Sequence, residues 1–291
     1  MKYSELLFTA NKKAEKMEDF DAGYTGKYKS HEEAADDLEQ NLVKMAKIQD
    51  KLFAEGKQSL LIILQALDAA GKDGAIKHVM SGLNPQGCRV SSFKAPSIYE
   101  LEHDFLWRAH WEIPPSGKIG IFNRSYYEEV LIVRVHQNIL NSQKLPDMEV
   151  KIENGHIWQE RYDDINNFEL HLARNGIRIL KFFLNLSRKE QKHRFIERID
   201  NPEKNWKLSP SDIRERQYWN HYMKVYFKML RHTSTKYAPW YIIPADNKWF
   251  SRIAMGEIIV DKLKEMDPRY PELDEEQKHA LQKAKTLLEK E

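Results

Sequence analysis

The stretch Leu60-Leu61-Ile62-Ile63-Leu64-Gln65-Ala66-Leu67-Asp68-Ala69-Ala70-Gly71-Lys72-Asp73-Gly74 carries the strongest local signal in the chain. A short apolar run flows into a glycine-lysine turn, and a helical pattern follows. A buried strand that ends in a tight loop of small residues sets backbone N–H groups at a helix start, where the helix dipole and a lysine favour phosphate oxygens. Ala69, Ala70, Gly71, Asp73 and Gly74 are therefore candidate phosphate-binding positions, and Lys72 is the candidate catalytic cation. The run departs from G-x-x-x-x-G-K-[ST] at two places: Ala66 stands at the first glycine, and Asp73 stands where a hydroxyl would reach a metal. Asp68, a hard oxygen donor, can hold Mg²⁺ in place of that hydroxyl. The competing assignment has Asp68 cap the following helix or pair with Lys72.

Composition sets the bounds. The chain has 291 residues, 41% of them hydrophobic, ample for a large core. It divides into a helical extension (residues 1–56), a core (57–267) and a final helix (268–291). The single cysteine, Cys88, excludes an intramolecular disulfide and a cysteine-rich metal site. The first residues lack the apolar core of a signal peptide, so a cytoplasmic location is expected. No apolar run approaches the roughly 18 residues that span a bilayer, so no membrane partner is expected. A net charge of only +2 argues against nonspecific binding to nucleic acid. Between residues 185 and 236, however, 13 Lys/Arg face 6 Asp/Glu, which points to an anionic ligand there. The 11 histidines contain no His-Glu-x-x-His pattern, and His103, His110 and His136 read as ordinary polar or core residues.

Apolar or β-rich runs recur at residues 59–65, 88–94, 118–122, 177–184 and 240–244, with helical stretches between them. That alternation predicts an α/β fold: a parallel sheet of about five strands flanked by helices, with ligand at its carboxyl edge. Ser30-His31-Glu32-Glu33 reads as a capping box before an apolar stripe of Leu38, Leu42, Met45 and Leu52. Ser97-Ile98-Tyr99-Glu100 and Ser187-Arg188-Lys189-Glu190 read as capping boxes that open connecting helices, and Pro114-Pro115-Ser116-Gly117 as a sharp turn. The final helix carries Ala280, Leu281, Ala284 and Leu287 on one face.

Two further constellations bear chemistry. In Gly120-Ile121-Phe122-Asn123-Arg124-Ser125-Tyr126-Tyr127-Glu128, Asn123 stands at a strand end where a Walker B carboxylate would help hold magnesium. Glu128 is then the nearby carboxylate that can compensate, and Arg124 points its fork at phosphate. The alternative is a plain turn in which Asn123 or Ser125 is an N-cap and Arg124 lies at the surface. In the basic helix from Ser187 to Arg198, Arg194 and Arg198 are four apart and share a face. Such a pair can close as a lid over a transferring phosphoryl group, or it can be a solvated face in which Glu190 pairs with Arg194. Trp107, Trp111, Tyr126 and Tyr127 can stack on a nucleobase, but aromatics near a sheet are more often core, and these four are expected there.

Taken with Lys204-Asn205-Trp206-Lys207 and Ala238-Pro239-Trp240, these motifs resemble the family-2 polyphosphate kinases from about residue 30 to about residue 264. The resemblance implies a P-loop kinase fold with a helical lid around residues 187–215. It implies Mg²⁺, with Mn²⁺ as an alternative, and transfer from inorganic polyphosphate to AMP or ADP, giving ADP and ATP. Guanine nucleotides are further candidate substrates, and a homo-oligomer is expected. Asp68 and Lys72 fall on the family's Walker A positions, Asn123 and Arg124 on its Walker B positions, and Arg194 and Arg198 on its lid. Many members have Asp at the place of Asn123; the departure resembles the subgroup that accepts both AMP and ADP. A polyanionic donor calls for a track of cations, for which Lys77, Lys94, Arg108, Arg124 and Arg134 are candidates. Two other classes remain open: an ATP-dependent nucleoside or nucleotide kinase, and a noncatalytic nucleotide- or polyanion-binding protein.

Overall fold

The computed structural model describes residues 3–9, 14–143, 145–146, 148–153 and 155–291. Five strands, β1 (Ser59–Gln65), β2 (Cys88–Ser92), β3 (Ile119–Asn123), β4 (Ile177–Asn185) and β5 (Trp240–Pro244), form one sheet in the order β2-β3-β1-β4-β5. Every pairing is parallel. The strands expected from apolar runs agree with these to within two residues at every end. The longer helices are α1 (Ala35–Glu55), α2 (Lys72–Met80), α3 (His156–Arg174), α4 (Arg188–Asp200), α5 (Trp219–Thr233), α6 (Lys248–Met266) and α7 (Glu275–Leu288).

β1 is buried at all seven positions because its alternating side chains fill two cores. Leu60, Ile62 and Leu64 join Met45 and Leu52 of α1 and Ile253, Ile258 and Leu263 of α6 on one face. Leu61 and Ile63 join Trp158 and Ile165 of α3 and Tyr226 and Leu230 of α5 on the other. Each such aliphatic side chain contributes roughly 1.5–3 kcal/mol on leaving water. The Pro114–Gly117 turn enters β3 closely beneath α1: Gly117 has φ +84°, and a Cβ there would lie 3.2 Å from the Phe53 carbonyl.

The three capping boxes fare differently. At Ser97 both reciprocal bonds form, at 2.6 and 3.2 Å, yet they open only the single 3-10 turn Glu100–Glu102. No apolar period of three to four residues follows to extend it into the expected helix. At Ser187 the hydroxyl accepts from Glu190 N at 3.1 Å, but Glu190 turns its carboxylate to Arg194 instead of back to the cap. At Ser30 the bond from Glu33 N is stretched to 3.5 Å. Tyr126 and Tyr127 are core residues as expected, whereas Trp111 is exposed. All of α7 is exposed, its apolar face included. No helix among the described residues is long and apolar enough to cross a membrane.

Candidate active site

β1 and β3 are neighbours in register, Leu64 beside Asn123, so both strand ends open at the same place on the carboxyl edge. The loop after β1 turns into α2 through Gly71, whose φ of 104° suits a residue without Cβ. Ala69 and Arg124 also have positive φ, a strained conformation for side-chain-bearing residues and common at ligand sites. Arg124 N donates to Leu64 O at 3.1 Å, which ties the second loop to the end of the first strand.

Lys72 is buried and folds back over its own loop, donating to Ala66 O at 2.8 Å and Leu67 O at 3.4 Å. Burial lowers its pKa, the charge of Asp68 opposes that shift, and Arg124 adds to it. Asp68 pairs with Arg124 at 2.9 Å, not with Lys72, and Asn123 Nδ2 donates to Asp73 Oδ1 at 2.9 Å. These contacts turn Arg124 and Asn123 toward the phosphate loop, although both side chains stay partly exposed. Ser125 does serve as an N-cap, accepting from Tyr127 N at 3.2 Å.

Asp68 and Glu128 line one small cavity of about 60 Å³ together with Arg124, Arg216 and Tyr222. Burial raises the Glu128 carboxyl above its ordinary range, against the pull of Arg124 and Lys72. With its amide oriented to satisfy both ends, Gln65 donates to Glu128 Oε1 at 3.0 Å and accepts from Ser125 Oγ at 3.1 Å. Among the described residues no group of three or more His, Cys, Asp or Glu could hold a metal. Four carboxylates line that cavity, Asp68, Glu128, Asp212 and Glu215, and the pair nearest the phosphate loop, Asp68 and Glu128, fits a small hard cation that keeps several waters and takes its remaining ligands from phosphate.

Arg194 lies neither on a solvated face nor at a lid tip. It is 3% exposed, and its donors are taken by Ala69 O (3.0 Å), Ala70 O (3.1 Å), Ala245 O (2.6 Å), Asp246 O (2.9 Å) and Glu190 Oε1 (2.8 Å). Gln191, three residues earlier on α4, donates to Asp68 O at 2.9 Å. α4 thus braces the loop carbonyls against the turn after β5. Arg198, one helical turn on, is half-buried and lines the main cavity, its guanidinium 5.8 Å from the Phe195 ring.

That cavity, the larger of the two at the phosphate loop at about 570 Å³, is lined by all of residues 68–75 and by Asn123, Arg124, Arg194 and Arg198. Lys204, Trp206, Lys207, Lys248 and Arg252 line it too. Lys248 and Arg252 were not foreseen; the available signal was a basic i, i+4 pair directly after the last strand, at the sheet's carboxyl edge.

The expected cation track is not assembled at this site, where Arg124 alone of the five residues lines the cavity. Lys77 is exposed on α2. Lys94 and Arg108 belong to a separate cavity at the β2 edge, where Arg108 Nη1 donates to Lys94 O at 2.7 Å. Arg134 is drawn to the far core, donating to Tyr162 Oη at 2.9 Å and lying 4.9 Å from the Trp158 ring. There it lines a third cavity with His221, Lys224 and Lys228.

Comparison with known proteins agrees with this fold. The family model for Polyphosphate kinase 2 (PPK2) matches residues 28–271. An ADP-polyphosphate phosphotransferase from Rhodopseudomonas palustris is 50% identical over 245 residues, covering 84% of either chain. An AMP/ADP-polyphosphate phosphotransferase from Meiothermus ruber is 44% identical over 229 residues, covering 79% of this chain and 80% of the relative. The crystal structure of polyphosphate kinase 2 from Arthrobacter aurescens TC1 superimposes with a TM-score of 0.84 at 38% identity, covering 96% of this chain and 95% of that one. With its P-loop on the carboxyl edge of a five-stranded parallel sheet, the chain belongs to the polyphosphate kinase 2 family.

Proposed function

We propose that this protein transfers the terminal phosphoryl group of inorganic polyphosphate to AMP and to ADP, reversibly and with Mg²⁺. In the forward direction the terminal P–O bond of the chain breaks and a P–O bond to the acceptor's terminal phosphate forms. The chain is left one unit shorter, and AMP becomes ADP or ADP becomes ATP. The observation that carries this reading is the convergence of Lys72, Arg124, Arg198, Lys204, Lys207, Lys248 and Arg252 on one cavity beside Asp68 and Glu128. Both substrates are polyanions, and transfer between phosphate oxygens needs alignment and charge neutralisation instead of a protein nucleophile.

Lys72 and Arg124 would bind oxygens of the transferring group, while Arg194 holds the loop that presents them. Asp68 and Glu128 would hold the divalent cation, which supplies further neutralisation of phosphate charge. The names of the two relatives, an ADP- and an AMP/ADP-polyphosphate phosphotransferase, support acceptance of both nucleotides. Product formation from AMP and from ADP, each with polyphosphate and Mg²⁺, tests the proposal. ADP and ATP should form only when polyphosphate is present. Phosphorylation that proceeds with ATP as donor but not with polyphosphate would replace this reading by a conventional nucleotide kinase.

A further inference from the structure

The main cavity is ionic on nearly every side, yet Trp206 lines it with 77% of its surface exposed. No other aromatic ring lines that cavity among the described residues. Exposure alone would mean little, since Trp111 is 68% exposed as well; what sets Trp206 apart is its place in a wall of cations, where it offers the cavity an apolar face. The ring is held in position. Its Nε1 donates to Glu203 O at 3.0 Å, and Lys207 Nζ sits over it, 4.9 Å from the centroid. The turn that carries it, Asn205–Lys207, is tied to α4 by Lys204 Nζ and Glu197 Oε1 at 2.6 Å.

We infer that Trp206 is the stacking platform for the base of the nucleotide, an inference that rests on the phosphotransfer reading above. A polyphosphate chain has no π-face and gains nothing from an indole. A purine base is planar and uncharged, and it stacks on such a ring while its phosphates reach the cations of the same cavity. Lys207 covers one face of the indole, and the base takes the other. Trp206 thereby separates the two polyanionic substrates: it contributes to nucleotide affinity and not to affinity for the donor.

Equilibrium binding of ADP and of inorganic tripolyphosphate to the full chain tests this, with Trp206→Ala and Trp206→Phe compared and melting temperatures measured alongside. The alanine variant should weaken ADP about tenfold and leave tripolyphosphate unchanged, while phenylalanine restores most of the loss. Unchanged ADP affinity in Trp206→Ala, or an equal loss for both ligands, would overturn the stacking role while leaving the phosphotransfer reading intact. A wild-type protein that binds neither anion would overturn both.

Discussion

Lys72 shows how one side chain is pulled two ways. Its ammonium is buried against its own loop, so Lys72→Met removes two carbonyl contacts but also removes a buried charge. The two effects oppose each other, and stability should change by no more than about 2 kcal/mol, while the transfer rate falls on the order of a hundredfold or more. Steady-state rates and urea denaturation check both halves. The same burial sets a pH dependence. With its pKa lowered, Lys72 gives up its proton below the ordinary lysine range, so kcat/KM falls early as pH rises. A bound polyanion favours the charged form, so the alkaline limb of kcat should lie at higher pH than that of kcat/KM. Coincident limbs would mean that another group controls the profile. For Asp68→Asn, the Arg124 pair that is lost is more than a third exposed on one side, so little stability goes with it. The Mg²⁺ concentration for half-maximal activity should rise several-fold, and an unchanged requirement would make Asp68 a positioning partner of Arg124 alone.

At the scale of elements, α4 does two jobs with residues one turn apart. Arg194 bonds four backbone carbonyls from two loops, so Arg194→Ala strands those carbonyls in a buried setting. A loss of about 3 kcal/mol or more is expected, a fall in melting temperature of roughly 6 °C or more, together with a loss of kcat. Arg194→Lys has fewer donors and no planar fork, so it should recover only part of either. Arg198 lines the cavity without such anchoring, and Arg198→Ala should lower kcat about tenfold at an unchanged melting temperature. Equal thermal losses in the two alanine variants would refute this division of labour. The short spacing that made the two arginines look equivalent in sequence hides a difference that arises because one side of α4 faces the loop after β1 and the turn after β5.

Across the whole molecule, the far core is organised by an ion pair with no exposure at all. Lys181 of β4 donates to Glu169 of α3 at 2.6 Å, to Tyr127 Oη at 2.7 Å and to Thr233 O at 2.7 Å. Burial brings its pKa down to about 8, with Glu169 opposing. Tyr126 and Tyr127 both donate to Glu169 at 2.8 Å, so the turn after β3 is fixed by the same cluster. Lys181→Met leaves the carboxylate buried without its cation and should cost about 3–5 kcal/mol, read by chemical denaturation. A near-neutral variant would show that the tyrosine hydroxyls suffice.

The fold class was legible in local pattern alone. Runs such as Leu60–Leu64, fully apolar, short and bounded by turn residues, fit strands buried on both faces, and their alternation with helical periods implies a parallel sheet. The placement of Asp68 and Lys72 on the loop after β1 was legible too, because such a loop is contiguous in sequence. What local pattern does not carry is strand order. The placement of β1 between β3 and β4 brings Asn123 and Arg124 beside the loop, and the placement of β5 beyond β4 brings Lys248 and Arg252 to the same edge. Arg134 and Arg124 lie ten residues apart on one segment, yet the 3-10 turn Tyr126–Val130 between them carries one to the far core and leaves the other at the phosphate loop. Whether an arginine touches ligand, braces a loop or stacks in a core depends on which carbonyls and rings the packed chain sets around it, and those neighbours come from distant parts of the sequence.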